Sequence, residues 1–218
     1  MPVPFYYDIF KISCMRGNVE IAKLLISYNI IDKKDKYGAT GFMVACRHGQ
    51  IEVVKLLLNN DNINYIDMNG NSPIICACEY GNVDVMRLLL DNGANINHIN
   101  NRGYNSLIKS CNWCNNNSDL VRLLINEGSD LYHRTPWGHT AFMTACICTK
   151  YEIAKILLIN DIDISHRDCG GNSILRIIFD HIKDLPFMRI ESKNDYMNII
   201  KLIVSSYDNY RKHIDDIN

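Results

Sequence analysis

The chain has 218 residues, 23 Lys+Arg against 24 Asp+Glu, a formal net charge of −1 and 47% apolar residues. Near-neutrality speaks against a general nucleic-acid binder, which carries a strong basic excess, and the apolar share speaks against disorder. No run of 18 apolar residues is present to span a membrane, and Met1-Pro2-Val3-Pro4-Phe5 does not open a secretory signal, so the nine cysteines are expected as reduced thiols in the cytoplasm or nucleus.

Read in chain order, the sequence repeats itself. The first copy, residues 5–34, lacks a turn motif ahead of its first helix, as suits an N-terminal cap; Asp8 is placed to cap that helix, and Gly17-Asn18-Val19-Glu20-Ile21-Ala22-Lys23-Leu24-Leu25 leads into a second. The second copy, 35–66, opens on Asp35-x-x-Gly38 with Thr40 two residues on, and repeats the helical phrase from Gly49 to Leu57. The third, 67–99, does the same with Asp67-x-x-Gly70, Ser72 and Gly81 to Leu89. The fourth, 100–134, keeps Gly103 and puts Asn105 at the cap position. It has Cys114 where the turn glycine belongs and two extra residues near Asn115-Asn116-Asn117, which predict a longer loop between its helices. The fifth, 135–167, carries Gly138 and Thr140. The sixth, 168–206, opens on Asp168-Cys169-Gly170-Gly171 with Ser173, then holds an insertion over 183–193 containing Pro186, a second helix from about Asp195 to Ser206, and a polar tail over 207–218.

Each unit therefore reads as turn, short helix, turn, second helix and loop. Thr40, Ser72, Asn105, Thr140 and Ser173 are good N-caps, because a side-chain oxygen accepts from an orphan backbone N–H. Behind them run an apolar column (Phe42, Ile74, Leu107, Phe142, Leu175) and a small one (Ala45, Ala77, Ser110, Ala145). Val53, Leu56 and Leu57 have the spacing of a buried helix face. One unit cannot bury its own apolar face, so the units must stack into a single all-α solenoid over 1–218 with atypical ends. With helices ~8–10 Å apart, six units make a stack on the order of 50 Å long. Its broad concave side suits a macromolecule better than a small substrate.

The unit resembles the ankyrin repeat, best over Asp67 to Ile99, which reads DMNGNSPIICACEYGNVDVMRLLLDNGANINHI. The likeness covers roughly residues 5 to 206. The family's His after T-P-L is replaced by Met43, Ile75, Ile108 and Met143, so its hydrogen bonds must be lost or replaced by packing. Ile and Asn are abundant and Ala is scarce, a bias that AT-rich codons favour. In this the chain is similar to ankyrin proteins of giant DNA viruses of amoebae and of AT-rich eukaryotes, where a host protein would be the partner.

The resemblance implies a monomeric, non-catalytic module that binds a partner protein, without cofactor, metal, nucleic acid or membrane. Its usual contact positions, five in each of five copies, include Lys36, Ala39, Met68, Asn69, Asn71, Glu79, Asn101, Asn112 and Pro136, and those singled out for binding are Tyr37, Arg47, His48, Tyr80, Arg102, Tyr104, Trp113, Trp137 and His139. Trp, Tyr and Arg dominate interface energetics, and the competing reading is that the rings stiffen the loops. A ubiquitin-ligase adaptor is an alternative, although the segment after Ser206 shows no convincing match to the motif it needs. A cysteine hydrolase is a lesser one. Cys14, Cys46, Cys78, Cys111 and Cys146 form one column and read as small core residues. Cys76 and Cys148 are expected to be partly buried, and Cys169, at a turn tip, to be the most reactive thiol. Cys111-x-x-Cys114 lacks the second pair that a zinc site needs. His98, His133 and His166 share a column and are expected on a polar loop edge.

Overall fold

The structure is a computed structural model, and it describes residues 4–29, 34–112, 117–160, 162–184 and 190–215. The described residues form six helix pairs: α1 (Pro4–Arg16) with α2 (Val19–Ser27), α3 (Gly41–His48) with α4 (Ile51–Leu57), α5 (Pro73–Ala77) with α6 (Val83–Asp91), α7 (Ser106–Asn112) with α8 (Ser118–Asn126), α9 (Ala141–Ile147) with α10 (Tyr151–Ile159), and α11 (Ile174–Asp184) with α12 (Ile190–Asp215). Odd-numbered helices touch in succession from α1 to α11, even-numbered ones from α2 to α12, and each pair packs internally. The result is an all-α helical solenoid two rows deep. An isolated bridge, Arg167 with Ser173, is the sheet-like pairing recorded among the described residues.

Helices of five to nine residues are marginal alone in water, so packing holds them. The apolar column Phe42, Ile74, Leu107 and Phe142 is buried, as are the small column and the cysteine column behind it. Met43, Ile75, Ile108 and Met143 are buried as well, so packing fills the place of the family's histidine. A buried Phe, Leu or Ile contributes roughly 1.5–3 kcal/mol, and the repeat supplies such residues at every unit.

Caps and amides then join unit to unit. Thr40 and Thr140 accept from Met43 N and Met143 N at 3.2 Å, Asn105 from Ile108 N at 2.9 Å, and Ser173 from Arg176 N at 3.4 Å. Ser72 departs from the expectation. Its hydroxyl caps nothing and is buried without a hydrogen-bond partner; Pro73 opens that helix, and proline's preset φ suits a first helical residue. Asp8 departs too, since it lies inside α1 and not ahead of it. A second cap set was not anticipated. Asn82 accepts from Val85 N and donates to Gly49 O of the preceding unit, and Asn117 likewise accepts from Leu120 N and donates to Gly81 O. Further out, Asn64 donates to Gly93 O and Asn97 to Gly128 O. Many of the asparagines that codon bias alone seemed to explain are rungs between units.

The last pair corrects three expectations. The second helix runs from Ile190 to Asp215 where Asp195–Ser206 was expected, so the end of the insertion and most of the supposed tail are helical. Tyr196 pins it by donating to Ile147 O, and Tyr207 by donating to Ile164 O, both at 2.9 Å. Leu175 is only half-buried, whereas Ile174, Ile177 and Ile178 fill the core. Among the described residues, the sixth unit's helices touch only the fifth unit and each other, whereas an inner unit is covered on both sides. Arg176 therefore stands exposed in the column of Met43, and Phe179, in the cysteine column, is 60% exposed. Pro186, Cys114 and the residues at Asn115-Asn116 lie outside the described residues.

Candidate protein-binding face

The turn that opens each unit is a rigid finger. Asp35 Oδ1 accepts from the backbone N–H groups of Tyr37 and Ala39, Asp67 from Asn69 and Asn71, Asn100 from Arg102 and Tyr104, and Asp168 from Gly170 and Asn172, all at 2.8–3.0 Å. Thr135 does half of this, accepting from His139 N at 3.1 Å. A short polar side chain two and four residues ahead of those N–H groups replaces water as their partner, which is why Asx residues favour such turns.

Fingers are also tied to one another. Met68 N donates to Tyr37 O at 2.9 Å, Asn101 N to Asn69 O at 3.1 Å, and Cys169 N to Trp137 O at 3.0 Å. The histidine column, expected as a mere polar edge, ties the end of each unit, just ahead of the next finger, back to the unit's own opening turn: His98 Nε2 lies 2.7 Å from Gly70 O, His133 2.8 Å from Gly103 O, and His166 2.9 Å from Gly138 O. A carbonyl accepts, so in each case Nε2 carries the proton.

This scaffold holds the third residue of the finger outward. Tyr37 is 55% and Trp137 54% exposed, and Arg102 is exposed in the same column. Tyr80 at the end of the third unit's first helix is 58% exposed and stacks on His48, with ring centroids 4.9 Å apart and planes at 27°. Tyr104 is half-buried against the core, its ring centroid 6.5 Å from that of Trp137. Tyr37 stands apart from these pairs, with Lys36 Nζ 4.9 Å from its ring centroid. His139 is half-buried. Ala39, which the resemblance offered as a contact position, is buried. Trp113 lies outside the described residues.

Between the second and fourth units the face sinks into an open cleft of about 370 Å³. Arg47, Glu79, Arg102, Tyr104 and Lys109 line it, with amides of Asn69, Asn71, Asn100 and Asn101. Glu79 is shared. Its carboxylate pairs with Arg47 Nε, an ion pair and not an aligned hydrogen bond, and lies 3.4 Å from Lys109 Nζ. Burial works against the Arg47 charge, but Cys76, Glu79 and Asp67 around it outweigh that and hold its pKa above the ordinary value. Sequence reasoning passed over Lys109. The signal was present, because Lys109 stands in the first-helix column of Val44, Cys76 and Thr144, where a long cation is out of place.

Burial pulls the pKa of both site histidines below the ordinary imidazole value. At His48 neighbouring Arg47 adds to the effect and Glu79 opposes it; at His139 Asp168 opposes it and His181 adds. Burial pushes the Cys76 and Cys111 thiols up to about 12 and Cys146 well above its usual value, so these groups stay protonated at neutral pH and are poor nucleophiles. Cys76 is fully buried where partial burial was expected, Cys148 is half-buried, and Cys169 is exposed at its turn. Among the described residues no three His, Cys, Asp or Glu side chains gather to hold a metal ion, and no helix is long and apolar enough to cross a membrane.

A family model described as ankyrin repeats matches the chain in three copies, over residues 7–67, 42–135 and 97–168. No curated protein matches it.

Proposed function

The chain belongs to the ankyrin-repeat family, and from that premise we propose that it is a monomeric, non-catalytic module that takes a partner protein on its fingers and first helices. Ankyrin repeats in general mediate protein–protein interaction. The residues assigned to contact are Tyr37, Arg47, His48, Tyr80, Arg102, Tyr104, Trp113, Trp137 and His139. The observation that carries the reading is that Tyr37, Tyr80 and Trp137, at the family's contact positions on rigid turns, stand more than half exposed while the stack buries Phe10, Phe42 and Phe142; Tyr28, Tyr132 and Phe179 are exposed as well but lie outside those positions. Large rings on a rigid frame bind at little entropic cost, and such residues carry most interface energy. A surface of ~800 Å² per partner, the usual size, fits along five fingers. The buried thiol column suits a reducing compartment, the cytoplasm or nucleus.

The test is a paired capture experiment. Wild-type chain and a Tyr80→Ala, Trp137→Ala variant are immobilised and offered lysate of a candidate source cell. The variant should keep its helical circular dichroism, since both rings are mostly exposed, and should bind the captured protein at least ~30-fold more weakly, about 2 kcal/mol. Equal capture by the two would remove the reading.

A further inference from the structure

We propose that the cleft between the second and fourth units receives an acidic side chain of the partner, a carboxylate held by Arg102 and Lys109; this rests on the partner-binding reading above and adds the partner's chemistry to it. Three cations, Arg47, Arg102 and Lys109, face one carboxylate, Glu79, on the cleft wall. That carboxylate is already divided between Arg47 and Lys109. Asp67 lies behind the wall, buried, and its oxygens accept from Asn69 N, Asn71 N and Asn71 Nδ2. It adds negative charge near Arg47 but offers nothing to the opening.

Two further features point the same way. Lys109 is only 9% exposed and lines the cleft beside Glu79, where the lowered dielectric strengthens its attraction for an incoming anion. Arg102, exposed at the rim, has no ion-pair partner among the described residues. The amide oxygens nearest Arg102 are turned to other work. Asn71 Oδ1 accepts from Asn100 Nδ2 at 2.8 Å, and Asn100 Oδ1 accepts from two backbone N–H groups of its own finger. The wall is left rich in donors, which is what a carboxylate requires. The cleft also continues into the aromatic row, since Tyr104 on its wall meets Trp137. An acidic residue flanked by apolar ones satisfies both parts at once. That continuity favours a protein segment over a free anion.

The probe is a fluorescein-labelled Glu/Leu peptide of about ten residues, with a Gln/Leu counterpart, followed by anisotropy on the full chain at low salt. The Glu peptide should saturate, and the Gln peptide should bind at least about tenfold more weakly. Arg102→Glu, an exposed position that should leave the fold unchanged by circular dichroism, should cost the Glu peptide about tenfold or more. Raising salt to about 1 M, where the Debye length shrinks to about 3 Å, should weaken it further. Lys109→Gln should act in the same direction, but Arg102→Glu decides the matter if that buried variant fails to fold. Equal affinity for the two peptides, or indifference to Arg102→Glu, overturns the proposal. Displacement of the peptide by an equal concentration of inorganic phosphate overturns it as well, in favour of a small-ion site. A phosphoserine peptide binding tenfold tighter than the Glu peptide overturns the assignment to a carboxylate.

Because the peptide measurement needs no native partner, the two readings fail separately. Capture that ignores the aromatic variant sinks the binding face while the cleft's anion selectivity stands. A silent titration beside a failed aromatic capture sinks the cleft alone.

Discussion

The junction between the third and fourth units and the junction between the fourth and fifth are built from the same parts, with one removed. At the former, Asn101 N donates to Asn69 O, Asn101 Nδ2 donates to Met68 O at 3.0 Å, and His98, just ahead of the fourth finger, reaches back to Gly70 O. At the latter the residue matching Asn101 is Pro136, which has no N–H to give, so the carbonyl of Arg102 receives no rung. His133 still reaches Gly103 O, and Tyr104 meets Trp137 across the gap. The Pro136 ring lies so close to Gly103 that a Cβ there would stand 2.3 Å from Pro136 Cδ. One junction is held mostly by polar rungs and the other by a histidine, two rings and a proline in close contact. Alignment of the fingers, and with it the placement of the aromatic face, does not depend on any single hydrogen bond.

The largest expected effect breaks the packed junction. Gly103→Ala would place a Cβ into the proline ring at φ 74°, a region L residues enter only at a cost. We expect a loss of about 3 kcal/mol or more by urea denaturation. Gly93→Ala is the control. It has φ 84° but nothing within 4 Å of the added carbon, so it should lose only about 1 kcal/mol, the backbone cost alone. Equal losses would mean that close approach at Gly103 carries no weight.

The histidine pair sharpens the comparison on a smaller scale. Removing His133 should cost about 1–2 kcal/mol and removing His98 about 0.5–1 kcal/mol, because only the junction beside His98 keeps a backbone rung, from Asn101 N to Asn69 O. A larger loss at His98 would reverse the account of what holds each junction.

Acid should act more gradually. Burial holds the folded pKa of His48 and His139 below the ordinary 6.5. The unfolded chain then binds protons there before the folded one does. Stability is complete above about 6.5 and declines as pH falls through the interval between the unfolded and folded values. At lower pH a second decline is expected. Asp35 is opposed by burial but held low by Lys11 and by the Ala39 and Tyr37 amides, and Asp163 is held low by Ser165. Both therefore contribute stability above their ordinary 3.8 that is lost as pH drops through their folded values. Melting curves from pH 8 to 3 check both steps; a midpoint that rises between pH 7 and 5 would contradict the first.

Much of the fold was legible because the burial demand recurs. Phe42, Ile74, Leu107 and Phe142 face the same surroundings, so they share size and spacing, and the cysteine column marks the same small space in five units. Ends were not legible in this way. Nothing in the string Ser173-Ile174-Leu175-Arg176 says that its burial register differs from that of the earlier units, with Ile174 and not Leu175 filling the core. The aromatic positions could be read from the repeat, but the pairing of Arg47, Glu79 and Lys109 could not, because it joins residues about thirty positions apart in three different units.

The sequence by itself determined the repeat unit, the caps at Thr40, Asn105, Thr140 and Ser173 and the inward columns of the inner units, since those follow from local periodicity and from the apolar area each unit must hide. Only the tertiary structure decided which distant polar groups meet: the histidine ties to the opening turns, the asparagine rungs between units, the missing rung at Pro136 and the cationic cleft. Hydrogen bonds and ion pairs act over about 3 Å, and what lies at that distance is set by how neighbouring units dock, a relation no single repeat contains.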